Sequence, residues 1–303
     1  MNKKITITLL CTIIFLSNLS VFAVIVKIPK PIKKVNSITL NNYGNLYITQ
    51  GNKNTLRIQT EANNLQNIEV SDKNDSLILS VKNHDNEWWD IFNLFSTEEQ
   101  LNYYLTIEHL NNLDINSSGK VVFMSNLITT DLRININESG SFEADNITAD
   151  TIVFKTGGSG NSNIYEFYIT NNSAITINGN GNLLINTLTS NNANIKISDS
   201  GKTIINKLIT NKVTSDIAGS GKLILSGMVN SQKISISGSG NYYAKHLKSL
   251  KADINSTGNS AITISVDKLI SVNLHGSGGL EVYGDPKITF FNVSGSEEVK
   301  FHH

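Results

Sequence analysis

The sequence is short of cysteine, proline and charge. One cysteine, Cys11, excludes a disulfide framework and a cysteine-based zinc site. Only three prolines occur in 303 residues, so turns must be built from other residue types. Charged residues make up 17%, against roughly 25% in an average domain. Lys plus Arg and Asp plus Glu stand at 25 each, so the formal net charge is zero. With no basic excess to neutralise phosphates, nucleic acid is not an expected partner. The polar surface must come from uncharged groups, and asparagine supplies much of it, with serine and threonine abundant beside it. Apolar residues at 39% are enough for a core and exclude wholesale disorder.

A sustained apolar run occurs at the N-terminus. Lys3 and Lys4 precede the run Ile5–Leu16, and Val21-Phe22-Ala23 offers a small-residue cleavage site. Residues 1–23 therefore read as a secretory signal peptide. Ser17, Asn18 and Ser20 keep the run short of the roughly 20 residues a membrane span needs. Cys11 sits inside the run, where lipidation is not expected. Cleavage after Ala23 would remove the cysteine and two lysines and leave a net charge of −2. Residues 24–34 hold two prolines and four lysines within Lys27–Lys34, which suggests an extended, solvated linker.

From residue 111 to 300 the chain is a repeat. Ser-Gly or Asn-Gly turns, once Thr-Gly, recur at Gly119, Gly140, Gly160, Gly181, Gly201, Gly221, Gly240, Gly258, Gly278 and Gly295, spaced 17–21 residues apart. Four residues before them stand Ile115, Ile136, Thr156, Ile177, Ile197, Ile217, Ile236, Ile254, Leu274 and Phe291. Two residues earlier a weaker apolar column includes Leu113, Ile134, Phe154, Ile175 and Ile195, interrupted by Ser215. An offset of two places both columns on one face of a strand. Phe123, Ala144, Ile185, Ile205, Leu225, Ala244, Ile262 and Val282, four beyond the turns, form another inward column. Seven beyond the turns are Ile147, Leu188, Leu208, Met228 and Leu247. The residues between are mostly Asn, Ser, Thr, Asp and Lys, as an outward face requires. A period near 20 is short for helix pairs, and the runs are β-branched. The expected fold is all-β: a parallel β-solenoid with coils of about 20 residues that bury their apolar faces by stacking. Outward Asn and Thr would then form ladders along the rod.

Residues 35–110 are β-rich but less regular, with alternation around Tyr43-Gly44 and around Ser71–Asp75. They read as hairpins or longer coils that cap one end of the solenoid and form one continuous domain with it. An aromatic insertion at 85–100 holds both tryptophans. Trp88, Phe92 and Phe95 have the spacing of a short amphipathic helix. Together with Trp89 they are a cap, an exposed contact surface for a glycan or a partner protein, or a loop ordered only in an oligomer.

Three features resemble a known family. The first is Ile38-Thr-Leu40, Gly44-Asn-Leu-Tyr-Ile48, Gly51-Asn and Leu56-Arg-Ile58. The second is Asp75-Ser-Leu-Ile-Leu-Ser80 before the insertion. The third is the run of Ser-Gly turns, such as Ser237-Gly-Ser-Gly-Asn241, ending near Leu280–Pro286. Over residues 34–298 the chain resembles the bacterial "putative auto-transporter adhesin, head GIN domain" family, also described as a domain of unknown function. The resemblance implies an exported bacterial protein with a right-handed parallel β-solenoid, an adhesin role by analogy, and no catalytic residues.

Solenoids also carry polysaccharide lyases and hydrolases, whose sites need acids or bases clustered on successive coils. No acidic column builds up here. Glu143 and Asp145 share a coil and a face but lack a neighbouring His or Arg. The histidines show no HExxH or HxH pattern, so no metal site is expected. Neither the phosphate-binding loop nor the calcium-binding nonapeptide has its full motif. The expected function is a non-enzymatic, exported scaffold or adhesin-like protein, without a cofactor, that meets an unknown protein or glycan at the cell surface. The alternatives are a carbohydrate-active β-helix enzyme and a self-associating structural protein whose rods meet end to end or side by side.

Overall fold

A computed structural model describes residues 25–82, 101–296 and 298–302. Apart from one 3₁₀ turn at Ala62–Asn67, every regular element among them is a strand. The first eleven are β1 (Ile25–Pro31), β2 (Ser37–Asn42), β3 (Asn45–Gln50), β4 (Thr55–Glu61), β5 (Ile68–Lys73), β6 (Ser76–Val81), β7 (Asn102–Ile107), β8 (Asn112–Ser117), β9 (Lys120–Phe123), β10 (Leu127–Ile128) and β11 (Asp131–Ile136). Six long strands follow: β12 (Ser141–Thr156), β13 (Asn161–Ile177), β14 (Asn182–Ile197), β15 (Lys202–Gly219), β16 (Lys222–Gly238) and β17 (Asn241–Gly258). The chain continues through β18 (Ala261–Ser265), β19 (Leu269–Gly276), β20 (Gly279–Tyr283), β21 (Lys287–Gly295) and β22 (Glu298–His302).

The fold is a parallel β-solenoid. Each long strand is one coil without its turn. In β13, residues 161–164, 166–168 and 172–177 pair with 182–185, 187–189 and 192–197 of β14, all parallel. Stacking therefore produces two main sheets and a narrow third side. The first sheet runs β5, β6, β2, β8, β11, then the C-terminal segments of β12 to β17, then β19 and β21. The second runs β1, β4, β7, β3, β9, then the N-terminal segments of β12 to β17, then β18, β20 and β22. The glycine-rich turns join the first sheet to the second. Residues 83–100 connect β6 to β7, where the other coils have a short turn. Trp88, Trp89, Phe92 and Phe95 lie outside the described residues.

The N-terminal end is closed by antiparallel strands. β5 returns along β6, β4 along β7, and β1 along β4. The segment expected to be a solvated linker is thus hydrogen-bonded as an edge strand over Ile25–Pro31. Its composition suits that place. Lys27, Pro29, Lys30 and Pro31 stand on the outermost strand, where lysine and missing N–H donors discourage pairing with another chain.

The interior is the stack of apolar columns. Ile115, Ile136, Ile177, Ile197, Ile217, Ile236, Ile254 and Leu274 are all at most 2% exposed. Each isoleucine removed from water contributes about 1.5–3 kcal/mol. A phenylalanine row adds to it near the N-terminal coils. Phe123, Phe142, Phe154 and Phe167 follow one another with ring centroids 5.1, 5.9 and 6.4 Å apart. Such contacts add about 0.5–1.5 kcal/mol each beyond burial. The polar interruptions Thr156 and Ser215 are buried too. Phe291 is not: it is 47% exposed, with β19 beside it on one side of the last coil.

Inter-coil register corrects the repeat at two places. Gly258 pairs with Gly238 and Gly276, and Gly276 with Gly295. Gly258 and Gly295 therefore belong to a second glycine column, with Gly219, Gly238 and Gly276, two residues before the first. All five have φ between +102° and +157°, a conformation open to glycine and strained for other residues. The first column is Gly119, Gly140, Gly160, Gly181, Gly201, Gly221, Gly240 and Gly278, with Ser260 in the place of a glycine. Its glycines are needed for close approach. A Cβ on Gly201, Gly221 or Gly240 would lie 2.3–2.4 Å from the Cγ2 of Ile177, Ile197 or Ile217. Ile254 moves with the register into the column of Ile234, and Ser256 takes its place beside Ile236 and Leu274. Ser256 and Ser260 are buried and their hydroxyls lie 2.7 Å apart, so the two polar intruders satisfy each other.

Met228 is a further correction. Read as inward, it is 63% exposed. The register shifts between Ile205 and Leu208, so that Gly227 stands opposite Leu208. Gly227 adopts φ +125°, Met228 turns outward and Val229 is buried instead.

Candidate binding face

The first sheet's outer surface carries asparagine ladders near its two ends. Asn116 donates to Asn41 at 3.0 Å and Asn137 to Asn116 at 2.6 Å. Asn273 donates to Asn255, and Asn292 to Asn273, both at 2.9 Å. The third side carries another, Asn230 to Asn211 to Asn191, at 3.0 and 2.5 Å. An amide side chain has both donor and acceptor, so identical residues one coil apart can link indefinitely. Part of the asparagine surplus is thereby tied up in self-satisfied rows.

The second sheet's outer surface differs. Along its central column run Tyr104, Tyr47, Val122, Glu143, Asn163, Leu184, Ile204, Ile224 and Tyr243. Tyr47 and Tyr104 stack at 5.1 Å, and Arg57 lies 4.4 Å over the Tyr104 ring. Beside the column, Met124 is 61% and Tyr165 62% exposed. A groove of ≈ 520 Å³ lies here, lined by Met124, Glu143, Asp145, Asn163, Tyr165, Leu184 and Asn186 among others. Its floor is Phe123, Ala144 and Ile164.

Glu143 pairs with Lys120 at 2.6 Å across one coil. Sequence reading missed that partner, because Lys120 belongs to the previous repeat. The coil spacing would have placed Lys120 opposite Ser141, next to Glu143 on the same face. The acids Asp131, Asp150 and Asp114 are engaged by Thr151, Thr170 and Asn135 one coil on. His275 shares a hydrogen bond with Ser294, and His302 stacks on Tyr283. Among the described residues no three His, Cys, Asp or Glu side chains converge to hold a metal.

One network of buried polar groups surrounds Tyr242. The Tyr242 hydroxyl donates to Gln232 Oε1 at 2.8 Å. The Gln232 amide donates to Ser249 Oγ at 2.8 Å and to the Ser265 carbonyl at 3.2 Å. Burial pushes the Tyr242 and Tyr103 phenols well above the usual tyrosine range. These groups are closed to solvent and act on stability.

The described residues thus form a parallel solenoid whose second sheet bears tyrosine and aliphatic side chains on its outer face. The chain belongs to the family described as "putative auto-transporter adhesin, head GIN domain", which matches over residues 35–166 and again over 163–286. No curated protein sequence matches it. Solved structures share the fold. One, from Parabacteroides distasonis and described as a putative adhesin, is 16% identical, with a TM-score of 0.50, over 92% of this chain and 98% of its own. A second from the same species, described as a putative lipid binding protein, is 17% identical, with a TM-score of 0.52, over 92% and 97%. No helix among the described residues is long and apolar enough to cross a membrane.

Proposed function

We propose that this chain is an exported, non-enzymatic, adhesin-like binding protein of the bacterial surface or envelope, and that it engages its partner with the second sheet's outer face. The observation that carries this reading is the groove on that face, where the exposed apolar residues Met124, Tyr165 and Leu184 gather. Isolated exposed apolar residues are ordinary, but a contiguous set beside hydrogen-bonding Asn163, Asn186 and Asp145 has the mixed character of a recognition site. Membership of an adhesin family and the apolar leader of residues 1–23 support export.

The test is a glycan array and an envelope-polymer binding assay on the purified chain and on Tyr165→Ala with Leu184→Ser. The expected result is binding that falls at least tenfold in the variant, with an unchanged melting curve. Binding that survives the double substitution would refute the assignment of this face. The groove's two acids favour one other reading, glycan cleavage. It would replace the first if a bound polymer were shortened by the protein but not by Glu143→Gln.

A further inference from the structure

Charge along the rod is not even. Residues 101–195 hold three basic and eight acidic side chains, whereas residues 196–303 hold twelve lysines and eight acids. In the paired strands, lysines face neutral or acidic residues at every coil step but one. Lys196 lies opposite Asp216, Lys233 opposite Asp253 and Lys300 opposite Glu281. Lys202 alone stands opposite another lysine, Lys222, on the second sheet's outer face. Like charges directly opposed are destabilising. Among the described residues the salt bridges are Lys120–Glu143 and Lys300–Glu298, so neither member of this pair is neutralised.

The pair opens a diagonal track of cations held on aromatic rings. Lys222 Nζ lies 4.7 Å from the Tyr243 ring centroid in the next coil. Beside Tyr243 on the same strand, Lys245 Nζ lies 4.1 Å over Tyr283, reaching across the small Ser265. The far face of Tyr283 is stacked on His302 at 4.4 Å. Between them is a groove of ≈ 330 Å³ whose lining includes Ser226, Tyr243, Lys245, Thr263 and Tyr283. Glu281 borders it, but Glu281 receives the Tyr283 hydroxyl at 3.3 Å and lies opposite Lys300, so its charge is engaged. From Lys202 to Tyr283 the track crosses four coil steps, roughly 19 Å at the strand spacing.

We infer that this basic, tyrosine-backed half of the second sheet binds an extended acidic polysaccharide, with Lys202, Lys222 and Lys245 meeting its anionic groups. The inference rests on the proposed binding role of the same face and names its ligand class. A line of separated cations with hydroxyls between them suits a polymer bearing a charge on each repeat and hydroxyls along its length. Single-stranded nucleic acid would need free ring faces for its bases, and Lys245 and His302 cover both faces of Tyr283. An anionic membrane would lie flat on the whole sheet face and meet Glu143 and Asp145 as well.

The experiment titrates the purified chain with polygalacturonate, dextran sulfate and uncharged dextran, at low and high salt. Both polyanions are expected to bind and dextran not to. Affinity should fall steeply with salt, because the contacts are screened charge pairs. Lys202→Ala with Lys222→Ala should weaken polyanion binding at least tenfold. Lys155→Ala with Lys196→Ala, which removes the same charge from the first sheet's outer face, should change it less than twofold. Lys202→Gln alone should melt no lower than the parent, since it relieves the repulsion, which separates lost binding from lost folding. Equal binding of dextran, equal loss in the two double variants, or tighter binding to single-stranded DNA or anionic vesicles would each overturn the inference. So would light scattering that showed the lysines holding a second copy of the chain. Failure to bind either polyanion would overturn the inference while leaving the binding role to the glycan-array test of the Tyr165 groove, and dextran binding alone would also leave that role standing.

Discussion

Glycine in the first turn column is imposed by the isoleucine of the previous coil, and Gly221 with Ile197 tests that statement. A methyl on Gly221 would sit 2.3 Å from Ile197 Cγ2, with the Asp199 and Gly201 carbonyls at 3.0 and 3.1 Å. None of these can withdraw without moving a coil, so Gly221→Ala should destabilise by about 1–3 kcal/mol, the usual range for overpacking. Ile197→Ala removes three carbons from a fully buried site. At about 0.8 kcal/mol per carbon plus a cavity contribution, the expected loss is about 3–4 kcal/mol. In the double variant the new methyl enters space vacated by Cγ2. The Cγ2 clash disappears, the two carbonyl contacts remain and part of the void is filled, so the double loss should fall short of the summed singles by about 1–2 kcal/mol. Urea unfolding followed by circular dichroism, at equilibrium, measures the cycle. Gly157→Ala is the control, because its added Cβ would find nothing closer than 3.8 Å, and it should be within about 0.5 kcal/mol of the parent. Additive losses in the double variant, or a Gly157→Ala as harmful as Gly221→Ala, would show that Cγ2 contact is not what selects glycine there.

Three further outcomes are expected. Tyr103 and Tyr242 hold their protons above the usual phenol range because they are buried, while an unfolded tyrosine ionises near pH 10. Above that pH the unfolded chain has released protons the folded one keeps. Stability should therefore be insensitive to these groups below about pH 10 and fall by up to about 1.4 kcal/mol per pH unit for each above it. Tyr242→Phe should halve the slope of an alkaline melting series. Tyr103→Phe removes a buried hydroxyl with no hydrogen-bond partner and should stabilise at neutral pH by up to about 1 kcal/mol, read as a raised denaturant midpoint. Asn211→Asp loses the donor to Asn191 while keeping the acceptor for Asn230. A loss of about 0.5–1.5 kcal/mol is expected at neutral pH, smaller in acid, where the carboxyl can donate again.

Much of the fold was legible because side-chain alternation is local. Ile115, Ile177 and Ile197 announce an inward face from their own near neighbours along the strand, and the Ser-Gly turns mark where that face ends. Register between coils is not local. A coil made slightly longer or shorter shifts the pairing without disturbing the alternation, which is how Gly258 and Gly295 slipped a column and Met228 was read as inward. The edge strand was hidden for another reason. Pro29 and Pro31 argue against a central strand, and only a partner well downstream, β4, makes them an outer one. The binding face was least visible. Tyr165, Leu184 and Met124 occupy outward positions that differ from polar ones only in identity, and they adjoin because successive coils stack. The tryptophan segment that drew attention in the sequence lies outside the described residues.

The sequence by itself determined a stack of repeated coils, an isoleucine core and an uncharged, asparagine-rich surface, because each follows from period-2 burial repeated once per coil. Only the tertiary structure decided which residues became neighbours across coils: the asparagine rows, the Lys120–Glu143 pair, and Lys202 set against Lys222. Those contacts depend on the relative phase of segments a full coil apart, and that phase is fixed by backbone pairing between coils.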